Sequence, residues 1–454
     1  MQKIFSHSLS KEDSRTYIED YFDLPENMQS LQLSTTFEPL QSPGQAYDNR
    51  AKLTLFDPQD NFRGFCFVYS NKIYMISSSD ASPGFMRGPF PAGKWRLVLA
   101  VIRVLGSSST QLDVEIKASK TNLSIERIFD QPAAPDNRGP GWYRGDLHTH
   151  TNHSDGRWGV PELIDYARRF ELDFVTLSDH NTVSGLEEFH SLGGNDLVTI
   201  SGQELTTFFG HALALGKTQW FDWGIDCLRT EPLFADLAQK VIDSGALFIP
   251  THPNNVGDPE CGGCNWMYKD MKPGPARFFE IWNGPWGSTW SHNEDTLQQV
   301  YGWLNEGFKI TMTAGTDHHG LNGSEEYIQQ CGFNVAYAEA FDEQAILEGI
   351  RHGKLYLSQG PSLSLNVFSE NGEKATIGDT LTNVSNIQVH ASWDKTSSND
   401  NVRLIINGHI HATRCTYKEE ASWQINAEHI KWCLLEIRSE SGVIRAISNP
   451  IYFE

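Results

Sequence analysis

Gly145-Asp146-Leu147-His148-Thr149-His150-Thr151-Asn152-His153-Ser154-Asp155-Gly156 is poor in Val, Ile and Leu and dense in imidazole and carboxylate. If His148 and His150 end a β-strand, the two-residue period puts both side chains on one face. Two converging imidazoles are half of a transition-metal site, and Asp155 on the following loop adds a hard oxygen donor. Alone, a His-x-His pair reads more simply as a polar surface loop. The rest of the chain decides, because partners for such a site recur downstream in the same setting.

Working outward, apolar runs end repeatedly in polar or ionisable residues. They cover 143–148, 174–179, 197–204, 211–216, 246–252, 278–283 and 309–317, which makes seven candidate strands. Amphipathic segments at 161–170, 231–244 and 293–306 separate several of them, with Pro161 and Pro232 near helix starts. Repeated β-then-α over about 215 residues predicts a parallel sheet, closed as a barrel or open and doubly wound. A helix over 342–351 and the segment 356–361 close this unit.

The flanks read differently. Short apolar runs at 53–56, 65–69, 72–76 and 95–102, punctuated by Pro and Gly, predict an N-terminal β-sandwich over 1–138. Its first 30 residues are acidic and weakly patterned, which suggests a helix or an arm, and 131–140 has linker composition. After the middle unit at 139–361, the runs 364–368, 387–393 and 402–406 predict a small C-terminal β-sandwich over 362–454. There Asn407-Gly408 is a strong hairpin turn. It makes His409-Ile410-His411, a second His-x-His, read as the exposed face of a hairpin strand.

The chain has 454 residues, enough for two or three domains, with 57 acidic against 36 basic side chains and a net charge of −21. That balance argues against a nucleic-acid polymer or an anionic membrane as partner, since phosphate contacts need a basic footprint. A bound cation could still recruit a small anionic substrate locally. The N-terminus lacks an apolar leader segment and no membrane-length apolar run follows, so the expectation is a cytoplasmic protein. Seven scattered cysteines do not read as a disulfide framework. Cys261-Gly262-Gly263-Cys264 reads as a loop feature without a redox or metal role, because a zinc knuckle needs a second pair nearby.

Ten of the 16 histidines fall between 148 and 319. Those at strand ends are His148, His150, His180, His211, His252 and His319, joined by Asp155, Glu204 and Asp317. Carboxyl ends of strands in such folds converge on one face, where active sites form. Nine donors exceed what one tetrahedral ion uses, so two or three ions bridged by a carboxylate are expected.

Gly145-Asp146-Leu147-His148-Thr149-His150-Thr151, Ser178-Asp179-His180-Asn181, Thr251-His252-Pro253 and Gly315-Thr316-Asp317-His318-His319 resemble, in order, the four motifs of the polymerase-and-histidinol-phosphatase (PHP) family. Gln203-Glu204 and Gly210-His211 resemble its bridging-Glu and following-His positions. The stretch from Ala81 to Trp95 and Gly360-Pro361 resemble the carbaryl-hydrolase-like branch, which carries a β domain ahead of the metal domain. The resemblance implies a distorted seven-stranded (β/α) barrel, here flanked by the two β-sandwiches. It implies one ion on His148, His150, Glu204 and Asp317, a second on Glu204, His211 and His252, and a third on Asp155, His180 and His319. The family's D-x-H pattern selects His319 and leaves His318 as a neighbour. Asp155 stands where some members have His, which either weakens the third site or favours Mn or Fe over Zn.

Close ions of this kind suit hydrolysis of an ester. The leading expectation is a phosphoesterase acting on a small phosphorylated metabolite or nucleotide, with Glu204, Asp317 and His318 as catalytic candidates. The alternatives are a carbamate or carboxylic ester hydrolase, and a ligand- or carbohydrate-binding protein with a non-catalytic metal domain. His318, His153 and His292 are open as proton donors to the leaving group. Asp179 is open as an orienter of His180. The segments 282–286 and 265–268 either face substrate or pack a long loop.

Overall fold

The computed structural model describes residues 1–454 except 70, 107–108, 123–127, 132, 223–233, 269–271, 321–323 and the side chain of Ser324. Eight strands begin the chain: β1 (Gln2–Leu9), β2 (Thr16–Leu24), β3 (Ser30–Glu38), β4 (Arg50–Phe56), β5 (Phe62–Phe67), β6 (Lys72–Ser77), β7 (Gly93–Arg103) and β8 (Thr110–Ser119). They form two antiparallel sheets, β1-β8-β3-β6 and β2-β7-β4-β5, around a core that includes Leu31, Leu33, Leu53, Leu55, Trp95 and Leu97. The first 30 residues are therefore mostly strand, with one 3₁₀ turn at Lys11–Asp13, rather than a long helix or an arm. Both β1 and β2 lie at sheet edges, and β1 buries only Phe5 and Leu9, which explains their weak pattern.

The β2-β7-β4-β5 sheet is buried on both faces at β4, β5 and most of β7. Along β4, Ala51, Leu53 and Leu55 enter the sandwich core, while Lys52, Thr54 and Phe56 face the rest of the molecule and are also buried. Phe56, Phe65, Phe67 and Ile102 join the large central core instead. Each such side chain contributes about 1.5–3 kcal/mol when removed from water, so this docking is held by ordinary core packing.

The middle of the chain supplies β9 (Gly141–Asp146), β10 (Phe174–Leu177), β11 (Val198–Thr206), β12 (His211–Leu215), β13 (Leu247–Pro250), β14 (Phe278–Asn283), β15 (Thr311–Gly315), β16 (Phe333–Ala338) and β17 (Leu355–Ser358). Its helices are α1 (Val160–Arg169), α2 (Leu186–Leu192), α3 (Phe234–Asp243), α4 (Asn293–Glu306), α5 (Ser324–Ile328) and α6 (Glu343–Arg351). Pro161 sits in the first turn of α1 and Asp342 caps α6 by accepting from the Ala345 amide. Pro232 lies outside the described residues. All seven expected strands form, but not all run parallel. β9-β10-β11 and β14-β15 are parallel pairs, whereas β12 and β13 run antiparallel to their neighbours. Only residues 207–210 join β11 to β12, too few for a crossover, so a hairpin results. β16 and β17, the former unanticipated, extend the sheet antiparallel from β9. Among the described residues this gives a mixed sheet plus the separate β14-β15 pair rather than one hydrogen-bonded ring.

The last strands are β18 (Ser362–Ser369), β19 (Lys374–Thr376), β20 (Thr380–Leu381), β21 (Asn386–Asp394), β22 (Asn401–Ile406), β23 (His409–Cys415), β24 (Glu420–Asn426), β25 (Trp432–Arg438), β26 (Ile444–Ser448) and β27 (Ile451–Phe453). One sheet is β19-β18-β21-β24; the other, β26-β25-β22-β23, continues the central sheet because β17 pairs with β26. Asn407 (φ 49°) and Gly408 (φ 84°) make the β22-β23 turn, the left-handed pair a two-residue hairpin requires. His409 and His411 stand exposed on β23, as expected. Among the described residues no helix is long and apolar enough to cross a membrane.

Candidate metal centre

The strand ends are tied together before any metal chemistry enters. Asp146, at the end of β9, is fully buried and accepts from Tyr166 Oη (2.8 Å), Thr316 Oγ1 (2.6 Å), Thr316 N (3.1 Å) and His148 N (3.2 Å). One carboxylate thereby aligns the His148 and Asp317 segments. Parallel bridges Thr149↔His318 and His180↔Glu204 continue that alignment past the strands. Gly315 allows the close approach, since a Cβ there would meet Glu280 Oε1 and His148 Cβ, each at 2.3 Å. Asp317 (φ 52°) and His252 (φ 32°) both hold left-handed backbone, a strained state that surrounding structure must enforce.

The nine side chains singled out from the sequence come together. His148 Nε2 and His150 Nε2 lie 3.1 Å apart, and each is 3.4 Å from Glu204 Oε2. Asp317 Oδ1 is 3.4 Å from the first nitrogen and 3.0 Å from the second. A tetrahedral ion with ligand distances of about 2.0–2.1 Å needs donors about 3.3 Å apart, so this spacing fits one. Glu204 Oε1 turns the other way, 3.2 Å from His211 Nδ1 and 3.3 Å from His252 Nε2. Asp155 Oδ1 lies 3.5 Å from His180 Nε2 and 3.3 Å from His319 Nε2. Glu204 Oε2 has His180 Nδ1 at 2.7 Å, and Asp155 Oδ1 and His211 Nδ1 are buried without a hydrogen-bond partner among the described residues. Such atoms cost free energy unless a cation offsets them, and the donor set fits divalent ions on that ground.

Electrostatics agree. Burial alone pushes the Glu204 carboxyl up, but the imidazoles of His180, His148 and His211 reverse this and hold it well below the usual range. Asp317 behaves alike, burial being overcome by His148, His150 and His319. Conversely, burial lowers His148, yet the carboxylates of Asp317, Glu280 and Glu204 raise it well above its ordinary value. Excess carboxylate is drawing positive charge into the pocket. His150 and His211, pushed down to about 3 and about 4 chiefly by burial, are neutral and ready to act as donors.

Several functional side chains were not legible as such. His148 Nδ1 donates to Glu280 Oε1 (2.9 Å), while Glu280 Oε2 accepts from His252 N (3.1 Å) and Asn283 Nδ2 (3.1 Å). That carboxylate turns the Nε2 of His148 toward the cluster, the usual way a ligating imidazole is oriented. The available signal was a Glu within the otherwise apolar run of β14, which needs a buried partner. Asp179 does not orient His180. It accepts from Thr151 N (2.8 Å), Thr151 Oγ1 (2.6 Å) and Ser154 Oγ (2.6 Å) and so shapes the loop between His150 and Asp155.

A cavity of about 510 Å³ opens onto the cluster, lined in part by Asp155, His180, His211, His252, Asp317 and His319. Of the three histidines open as proton donors, His318 alone among the described residues lines it. The His318 ring lies 4.2 Å from that of Trp158, tilted by 36°, and burial, then His319, push it down to about 4. His153 instead bonds Ser184 (2.8 Å) and the Gly84 amide of the N-terminal sandwich. His292 is exposed and pairs with Asp295, and His190 bonds Thr199 and Ser201. Trp282, Trp286, Trp266 and Tyr268 are buried packing residues, whereas Asn283 and Trp290 reach the cavity.

The N-terminal sandwich also contributes. Arg50 lines the cavity from the start of β4 and has no hydrogen-bond or ion-pair partner among the described residues. Lys52, two residues on, is buried and donates to the Thr206 carbonyl at 3.2 Å. Burial pushes its ammonium down to about 7 against the pull of Glu204 and Asp155. Cys261 and Cys264, expected as a bare loop feature, form a disulfide and line the same cavity.

No family model matches the chain, and no curated protein matches it. Solved structures align in part. A two-domain protein from Bacteroides vulgatus containing a predicted PHP-like metal-dependent phosphoesterase is 15% identical over 72% of this chain and 100% of its own, with a TM-score of 0.39. A candidate metal-dependent phosphoesterase from Bifidobacterium adolescentis is 14% identical over 41% of this chain and 94% of its own, with a TM-score of 0.27. An amidohydrolase from Chromobacterium violaceum with bound sulfate and no metal is 14% identical over 38% and 87%, with a TM-score of 0.26. At these identities and TM-scores the alignments carry no argument about fold or activity.

Proposed function

We propose that this protein is a metal-dependent hydrolase that cleaves phosphate esters of small molecules. The fold reading that accompanies it is a distorted PHP-type barrel at 139–361 between sandwich domains at 1–138 and 362–454. The observation that carries the proposal is the two-sided use of Glu204: Oε2 faces His148, His150 and, at 2.7 Å, His180 Nδ1, while Oε1 faces His211 and His252. His148, His150, Glu204 and Asp317 would hold one ion, Glu204, His211 and His252 a second, and Asp155, His180 and His319 a third. Divalent ions bound there supply activated water and offset charge on the attacked group.

The chain's own groups do the rest. Glu204 couples two positions, Glu280 fixes His148 through its Nδ1, and His318, held neutral by burial, faces the cavity as a hydrogen-bond partner for substrate. Arg50 favours phosphate over a neutral ester, because an unpaired guanidinium beside a metal cluster suits an anionic oxygen fork.

Two measurements test this. Protein purified without chelator and supplied with Mn²⁺, Fe²⁺ or Zn²⁺ should carry at least two ions per chain by elemental analysis; under about one equivalent overturns the centre. With p-nitrophenyl phosphate, bis-p-nitrophenyl phosphate and p-nitrophenyl acetate, turnover should favour a phosphate ester. Preference for the acetate would instead support the carboxylic ester reading.

Arg50→Ala should raise KM for the preferred phosphate ester by about 10- to 100-fold, the worth of one charge-assisted contact, with metal content unchanged. A change under about threefold removes Arg50 from substrate binding.

A further inference from the structure

The loop around Cys261 and Cys264 touches both histidines on the Oε1 side of Glu204. His211 Nε2 donates to the Gly262 carbonyl (3.2 Å) and His252 Nδ1 to the Cys264 carbonyl (3.3 Å). The loop is anchored on its other side to the N-terminal sandwich. Arg15 pairs with Asp258 (2.7 Å), Tyr47 donates to Glu260 (2.7 Å), and the Arg103 guanidinium donates to the Pro259 carbonyl. A Cβ on Gly262 would meet Ile102 at 2.4 Å, so the contact is close. One donor atom each of His211, His252 and Cys264 lie within 4.8 Å of one another, and all three residues are buried. Both cysteines border the cavity, so a small reductant can reach them.

We infer that this disulfide masks a metal ligand: reducing Cys261–Cys264 frees Cys264 as a further donor to the ion held by His211 and His252. The inference rests on the metal-centre reading above and adds a redox control to it. In the reduction a dithiol supplies two electrons and two protons, the S–S bond breaks to two thiols, and the dithiol leaves as its own disulfide. Cys264 then loses its proton to solvent as it takes a divalent ion. A soft sulfur beside two imidazoles shifts preference toward Zn²⁺ or Co²⁺ and away from Mn²⁺. Oxidised protein keeps the two histidines held by backbone carbonyls, with no sulfur available.

Co²⁺ titration of the full chain reads this directly, after reductant is removed by gel filtration. Reduced wild type should gain thiolate-to-cobalt charge-transfer absorption in the near ultraviolet, and oxidised wild type should lack it. Cys261→Ser should show the band without any reductant. Cys264→Ser should never show it, although its other cysteines remain, and reduced Cys264→Ser should bind Zn²⁺ at least about tenfold more weakly than reduced wild type. A band in Cys264→Ser, or none in reduced wild type and Cys261→Ser, overturns the inference. If Co²⁺ still gives its ligand-field bands in that last case, the oxygen and nitrogen centre stands and only the thiolate site fails. Absence of any bound Co²⁺ sinks both. Circular dichroism of each variant separates misfolding from ligand loss, and Cys261→Ala repeats the constitutive arm if Cys261→Ser misfolds.

Discussion

Glu204→Ala lowers turnover of the preferred ester by several orders of magnitude while far-UV circular dichroism stays that of the wild type. The reason is geometric. Oε2 lies 3.4 Å from both His148 Nε2 and His150 Nε2, and Oε1 lies within 3.3 Å of donors on His211 and His252. Losing a terminal ligand weakens one ion; losing this side chain uncouples two positions and removes the carboxylate that balances their charge. Glu204→Gln keeps the volume and one carbonyl oxygen, yet its amide nitrogen cannot donate a lone pair to a metal. It should therefore fall nearly as far as Glu204→Ala. Steady-state kinetics with metal content measured on the same samples checks this. A drop of less than about tenfold would show that Glu204 is not a bridge.

The two His-x-His pairs respond oppositely to the same double substitution. His148 and His150 are fully buried, stacked among His180, His252 and His319, and backed by Glu280. Replacing both with Ala should abolish hydrolysis and remove at least one ion per chain. His409 and His411 are exposed on β23, beyond the Asn407-Gly408 turn. Replacing them should leave metal content and turnover unchanged, with a stability change of roughly half a kcal/mol. Thermal melts, elemental analysis and ester turnover on both double variants make the comparison. Equal losses from the two pairs would place the C-terminal strands in the catalytic machinery and redraw the site.

What could be read locally was local. Apolar runs of strand length bordered by polar or ionisable residues marked seven of the nine middle strands and the nine donors, because strand periodicity and strand ends are properties of short stretches. Asn407-Gly408 likewise specified its hairpin, since few residue pairs accept two left-handed conformations. Weak patterning hid β1 and β2, whose edge positions bury one sparse face.

The sequence by itself therefore determined which residues could serve as ligands and roughly where each strand stops. Tertiary structure alone decided strand direction at β12 and β13, the continuity of the central sheet into the C-terminal strands, and every partner distant in the chain. Glu280 meets His148 across 132 positions, and Arg50 reaches the cavity from another sandwich. Cys261 and Cys264 were a spacing without a meaning until the loop was seen against His211 and His252. The physical reason is common to all of these. Periodicity reports which face of an element is buried, but what that face is buried against depends on packing between elements, which no single stretch of chain encodes.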